Sequence, residues 1–200
     1  MPYTSEHKAA TRARIVESAR KLFNQHGFDA MSIDQIMAGA GLTRGGFYHH
    51  FSTKDQLYSE AVAFFAEVNP FRRRVIELEI SAPLEVARVL VNLYLGDEVF
   101  HDVDMQCPLY ALPNDVLRAG TKAQEAYTDL IRRLTQVFLR ALEGEEDAEQ
   151  RAPAIVALCV GGMVLARTSN DAHLRAALRA SSRQQALALL ESRTSAAVAA

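Results

Sequence analysis

Along most of this chain apolar positions recur every three or four residues, and no convincing run alternates with a period of two, so the pattern predicts helices throughout. The densest signals lie in 32–51, SIDQIMAGAGLTRGGFYHHF. Ser32 precedes Gln35 by three residues, the spacing of a capping box, and this starts a helix at about Ile33. Ile33, Ile36 and Met37 share its inner face, and Gly39 and Gly41 bracket a point where the backbone can turn through positive φ. Leu42 follows as an apolar anchor and Thr43 as a candidate N-cap. Residues 44–51 then form a second short helix, with Phe47 and Phe51 inward and Arg44, Gly46, Tyr48, His49 and His50 on the other side.

Beyond this segment the same period predicts a helix over 54–69, with Leu57, Ala61, Phe64 and Phe65 inward and Pro70 as its interruption. Pro83 opens another, to about Val99, whose inner stripe is Leu84, Ala87, Val91 and Tyr94 or Leu95. The stretch from 100 to 113 is less regular. A long helix over 121–142 buries Ala123, Tyr127, Leu130 or Ile131, Leu134, Phe138 and Leu142, and two more close the chain.

Two short helices joined by a glycine turn make a DNA-reading device, because the second helix fits a major groove. There Arg can address guanine, and Tyr or His can bind phosphate. Gly45 and Gly46 each weaken that helix by about 1 kcal/mol relative to alanine. Either the DNA backbone comes close to them or another helix packs tightly against them, and the residues alone leave both readings open.

The stretch RARIVESARKLFNQHGFDAMSIDQIMAGAGLTRGGFYHHFSTKDQLYSEAV resembles the N-terminal domain of the TetR/AcrR transcriptional regulators. The resemblance joins an amphipathic helix (Ile15, Ala19, Leu22, Phe23), a Gly27-Phe28 stop, the SIDQI and AGAGLT segments, the FYHHF recognition helix and the Lys54-Asp55-x-Leu57 opening of the next helix. Met37 departs from the small residue that helix-turn-helix proteins often place four positions before the turn glycine. The resemblance implies an all-α fold of about nine helices, with a three-helix DNA-binding domain over 9–54 (motif 32–51) and an effector-binding and dimerisation domain over 55–193. It implies a ligand-responsive regulator, more often a repressor, in which displacement of the fourth helix changes the separation of two reading heads. The DNA-facing residues would be Ser32, Thr43, Arg44, Gly46, Tyr48, His49, His50 and Lys54, with Arg44 and Gly46 near bases and Tyr48, His49 and Lys54 at phosphates. The partners are a double-stranded DNA operator, a small-molecule effector and a second copy of the chain, with no cofactor and no membrane.

Charge fits this division. The whole chain carries a formal −2, but through Lys54 there are seven Lys or Arg against four Asp or Glu, a net +3, leaving −5 for the remainder. A modestly basic head on an acidic body needs two heads for tight binding, and a two-fold dimer matches a palindromic operator. At 200 residues and 49% hydrophobic content the chain supports a sizeable core. The N-terminus lacks the apolar core of a signal peptide, so a cytoplasmic location is expected. The strongly apolar run over 154–166 is shorter than the roughly 20 residues that span a bilayer. Residues 194–200 read as a frayed tail.

That apolar run is hydrophobic on nearly every face, and the last helix, near 172–192, carries a band of small and apolar residues. From the pattern alone one side of the run packs on its own domain and the other on something else, or both lie in a single-chain core. The family resemblance implies a two-fold four-helix interface, for which Ile155, Leu158, Gly162, Leu165, Leu174, Leu178, Gln185 and Leu189 are the candidates. An effector pocket would draw on Phe64, Tyr94, Phe100, His101, Met105, Cys107, Tyr110 and Tyr127, which combine aromatic and soft surface with a few polar groups.

The segment MQCPLYALPNDVLRAG resembles a Gly-Cys-x-x-x-x-Leu segment of family members that respond to electrophiles, with Gln106 in place of the glycine. Pro108 can open a helix and set the Cys107 sulfur at its positive end, the environment of a reactive thiolate, although buried cysteines are commonly inert. Cys107 and Cys159 make no disulfide framework and no zinc spacing. His101, Asp102, Asp104 and Cys107 fit no standard metal site, and no nucleophile elbow, phosphate-binding glycine loop or HExxH is present, so no enzymatic activity is expected.

Overall fold

The computed structural model describes residues 5–102 and 106–192; Asp104, the expected pocket residue Met105 and the 194–200 tail lie outside them. The described residues form α1 (Ser5–His26), α2 (Ile33–Gly39), a 3-10 helix (Arg44–His49), α3 (Lys54–Val68), α4 (Pro70–Glu77), α5 (Pro83–Tyr94), α6 (Asp97–His101), α7 (Pro108–Ala111), α8 (Pro113–Arg118), α9 (Thr121–Ala141), α10 (Ala148–Thr168) and α11 (Ala172–Glu191). The architecture is all-α, as expected, but with more helices than the anticipated nine. Prolines explain much of the difference. Pro70, Pro108 and Pro113 each begin a new helix, where a missing N–H leaves no bond unmade.

The helix that begins at Pro83 stops at Tyr94, short of the expected Val99. Gly96 bonds back to the Leu93 carbonyl and becomes the N-cap of α6. A Cβ at Gly96 would lie only 2.7 Å from the Asn92 carbonyl oxygen, so glycine is needed for the break. On α5 both alternatives for the inner stripe, Tyr94 and Leu95, are buried, whereas Leu84 is exposed. On α9, Leu130 is buried and Ile131 exposed, which decides between them.

The chain forms two compact units. The first comprises Met1–Asn69 with Gln106–Leu130, the second Pro70–Met105 with Ile131–Ala200. In the first, α1 packs on α2, α3 and α7, and α2 packs on the 3-10 helix. Its core joins Ile15, Ala19 and Phe23 to Ile36, Met37, Phe47, Phe51, Leu57 and Tyr58. This unit is larger than the expected 9–54 domain, because residues 106–130 pack with the N-terminal helices.

In the second unit α10 and α11 form a hairpin against α5, and α4 and α6 also pack on α5. Phe71 stacks on Tyr94 with centroids 5.3 Å apart. Helix α10 has 21 residues, longer than the apolar run in the sequence, and is long and apolar enough to cross a membrane by length and composition. Its packing identifies it as a core helix: Ile155, Cys159, Met163 and Ala166 are buried, and its first turn holds a buried arginine. Arg151 pairs with Asp147 at 2.8 Å and donates to the Leu189 and Ser192 carbonyls at 2.7 and 2.6 Å, tying the start of α10 to the end of α11.

Candidate nucleic-acid interface

The start of α2 is held as its sequence requires. Ser32 is extended (φ −85°, ψ 158°), its Oγ accepts from the Gln35 amide at 3.2 Å, and Gln35 Oε1 accepts from the Ser32 amide at 2.9 Å. The end of α2 turns through Gly41, at φ +68°. Leu42 N–H donates to Met37 O at 2.8 Å and Gly41 N–H to Ala38 O at 2.9 Å, the paired bonds of a Schellman turn. Helix α1 completes the cap, with Arg14 Nη2 donating to Ala40 O at 2.5 Å and Ser18 Oγ to Ile36 O at 2.9 Å. A cation at this end also meets the negative pole of the helix dipole. Both ends of the scaffold helix are thus covered.

The second element differs from expectation. It is a 3-10 helix ending at His49, not an α-helix to Phe51, and Thr43 is extended but its side chain caps nothing. Two adjacent glycines and an uncapped start make an α-helical nucleus costly, and the tighter winding needs only i to i+3 bonds. The inward pair is as expected: Phe47 and Phe51 are buried with centroids 5.7 Å apart. Tyr48 stands edge-on to Phe47 and is 62% exposed. A Cβ at Gly45 would meet nothing within 4 Å, and one at Gly46 would make ordinary contact with the Met37 methyl at 3.5 Å. Packing within the chain therefore demands neither glycine. The buried Met37, unusual in bulk for its position, extends toward the space that a side chain at Gly46 would use.

The polar residues are not equivalent. Ser32, Thr43, Arg44, Tyr48 and His49 are exposed, Gly46 and His50 half-buried. Arg44 Nη1 donates to Asp34 Oδ2 at 2.9 Å, between two exposed side chains. His50 has its Nδ1 buried without a hydrogen-bond partner among the described residues, and burial lowers its pKa, with Lys8, Arg12 and His49 adding repulsion. Arg12 lies over the Phe51 ring at 4.4 Å and pairs with Glu60.

Lys54 turns toward the protein. Its ammonium donates to the Phe28 carbonyl and sits 4.1 Å from the centroid of the Phe28 ring, and burial lowers its pKa. Lys54, expected at a DNA phosphate, thus has its ammonium engaged within its own chain by Phe28. Gly27, at φ +82°, precedes this residue, and Asp115 Oδ2 accepts the Phe28 amide at 3.0 Å. Both polar groups of Phe28 are therefore engaged, one by α3 and one by α8. Asp34, Arg14 and Asp115 were not singled out from the sequence. Asp34 had a signal in its first-turn position on α2, whereas Asp115 lies 87 residues from its partner and had none.

The candidate pocket residues divide between the units. Phe64, Cys107, Tyr110 and Tyr127 belong to the first, Tyr94, Phe100 and His101 to the second. Tyr94, Cys107 and Tyr110 are buried, Phe64, Phe100 and Tyr127 half-buried, and His101 is exposed. Tyr127 donates to Leu109 O at 2.6 Å, and burial raises its pKa to about 12. The hydroxyl of Tyr58, buried beside Phe23 and Phe28, has no hydrogen-bond partner among the described residues. Cys107 is the N-cap of α7 with Pro108 at the first helical position, as expected, yet it is only 3% exposed. Burial raises the Cys159 thiol to about 12.

The candidate interface residues also differ. Ile155 and Gly162 are buried within the chain itself, Gly162 directly beneath Ser182 of α11. A side chain at Gly162 would collide with Ser182, so this glycine serves the α10–α11 contact and presents no surface to a partner. Leu165, Leu174 and Gln185 are exposed, and Leu158, Leu178 and Leu189 half-buried.

Residues 15–61 match the family profile of bacterial regulatory proteins, tetR family. The chain is 46% identical over 57 residues to the transposon Tn10 TetC protein of Escherichia coli, covering 28% of this chain and 29% of that protein's length. It is 28% identical over 170 residues to the HTH-type transcriptional regulator TtgR of Pseudomonas putida, covering 79% of this chain and 80% of the other. A solved TetR-family regulator from Agrobacterium tumefaciens has the same fold, with TM-score 0.68, 21% identity, and coverage of 89% of this chain and 98% of that one.

Proposed function

This chain belongs to the TetR/AcrR family of transcriptional regulators, and from that premise we propose that it is a cytoplasmic homodimeric repressor, without catalytic activity, released from a palindromic operator by a small organic effector. The observation that carries the reading is the sidedness of the 3-10 helix. Phe47 is rooted in the core, while Arg44, Tyr48 and His49 stand exposed beside Gly45, which is exposed, and Gly46, where a Cβ would make only ordinary contact with Met37. Such a surface admits a DNA backbone closely, with Arg44 directed at a base and Tyr48 and His49 at phosphates. Ser32, Thr43 and Gly46 complete the contact face. His50, half-buried, and Lys54, whose ammonium is held at the Phe28 carbonyl and ring, serve it indirectly.

The exposed Leu165 and Leu174, with Leu158, Leu178, Gln185 and Leu189, are the proposed two-fold contact, which brings two modestly basic heads to one operator. An effector that binds better to the conformation with wrongly spaced heads lowers operator affinity by that difference in affinity. A thiol sensor built on Cys107 is the weaker reading, since its sulfur is buried.

Replacing Tyr48 with alanine is the direct test. It removes an exposed ring, so thermal melting and dimer mass stay as in the wild type. Binding of the duplex from the chain's own promoter region weakens by at least about 30-fold in a gel shift, for a contact of about 1–3 kcal/mol lost from each of two heads. Undiminished affinity in this variant overturns the docking.

A further inference from the structure

An exposed acid, Asp34, lies at the edge of the reading face. A carboxylate facing DNA phosphates is unfavourable on its own, so its position needs a reason. Asp34 is the second residue of α2, and the capping box of Ser32 and Gln35 fixes that first turn. Its Oδ2 accepts from Nη1 of Arg44, the first residue of the 3-10 helix, across the glycine turn. The two side chains are 55% and 61% exposed, so the pair adds little to folding stability. Among the described residues Arg44 makes no other hydrogen bond or ion pair, which leaves its Nε and Nη2 edge open.

We propose that Asp34 is the specificity-setting positioning residue of the reading head, holding the Arg44 guanidinium by Nη1 so that the Nε and Nη2 edge meets the O6 and N7 acceptors of one guanine in each operator half-site. The inference rests on the DNA-reading function proposed above. Two physical effects follow from the pairing. A guanidinium held in place loses less rotamer freedom when it engages a base. The carboxylate also offsets part of the attraction of Arg44 for phosphate, so that unrelated sequences, bound mainly through phosphates, lose more than the operator does. Asp34 acts through Arg44 and touches no base.

The test is selection of duplexes from a randomised library with the full-length wild type, Arg44→Ala, Asp34→Ala and Asp34→Asn, followed by titration of the selected duplex against an unrelated one. The wild type enriches a palindrome with a guanine in each half that Arg44→Ala no longer requires. In Asp34→Ala the same guanine preference falls at least tenfold, affinity for the unrelated duplex rises severalfold, and the melting temperature is unchanged. Asp34→Asn, which keeps an acceptor for Nη1, retains most of the guanine preference while its affinity for the unrelated duplex rises. Full guanine preference in Asp34→Ala overturns the positioning role while leaving the reading head intact. Failure of the wild type to enrich any palindrome, or indifference of the guanine to Arg44→Ala, overturns the DNA-reading proposal itself.

Discussion

The segment from Ser32 to Phe51 and the α10–α11 hairpin use apolar residues in opposite ways. In the first, a few side chains, Ile36, Met37, Phe47 and Phe51, anchor a surface that is otherwise polar or bare. In the second, apolar and small residues surround the helix: Ile155 and Gly162 are buried by their own chain, while Leu165 and Leu174 remain exposed. The contrast shows where sidedness comes from. A helix with charged and apolar faces carries its orientation in its own sequence, whereas a helix that is apolar all round is oriented only by what packs on it.

Within the hairpin the contrast is largest between Ile155→Ala and Leu165→Asp. The former removes a fully buried side chain and is expected to destabilise the fold by about 2–5 kcal/mol in chemical denaturation. The latter places a charge on an exposed position and is expected to convert the proposed dimer to monomer in sedimentation at micromolar concentration, with the helical signal retained. If Leu165→Asp leaves the dimer intact, the division of α10 into own-chain and partner faces is wrong.

A smaller effect tests whether the head depends on local signals alone. Asp115→Asn keeps an acceptor near the Phe28 amide but removes its charge, and it also loosens the pair with Arg118 at 2.9 Å. A loss of about 0.5–1.5 kcal/mol in folding stability is expected, since one hydrogen bond is weakened rather than left unmade. Faster hydrogen exchange at Phe28 would localise the loss to the Gly27-Phe28 turn. Unaltered exchange there would show that the turn stands without its distant partner.

The smallest expected effect is a pH dependence at His50. Its pKa in the folded protein is lowered from the ordinary 6.5 by burial and neighbouring cations. The unfolded chain therefore binds a proton more readily, so this residue's contribution to stability is present above pH 6.5 and is lost as pH falls toward the lowered value. His50→Gln should flatten stability against pH as pH falls below 6.5 relative to wild type, by the linkage of proton binding to folding. Parallel curves for the two proteins would place the titration elsewhere.

Much of the reading head was legible because its signals are short-range. The capping box at Ser32 and Gln35, the positive-φ turn at Gly41 and the inward Phe47 and Phe51 each depend on residues within a few positions of one another. The winding of the recognition element was not legible, since a run of six residues with two glycines lies near the balance between α and 3-10 geometry. Nor was the orientation of Lys54, expected at a phosphate, whose ammonium finds the Phe28 carbonyl and ring. The candidate pocket was read from composition, which lists residue types without placing them, and its members divide between two compact units.

The sequence by itself determined the all-helical class, the match of residues 15–61 to the tetR family profile and the inward and outward faces of the reading head, because local hydrogen bonds and helical periodicity are properties of neighbouring residues. Only the tertiary structure decided the rest. It enlisted Asp115 to hold the turn before α2, paired Asp34 with Arg44, buried Cys107 and divided α10 into an inner and an exposed side. Those outcomes depend on which groups meet across long separations in the chain. Such meetings are governed by packing and by the need of buried polar groups for partners, and no local pattern encodes them.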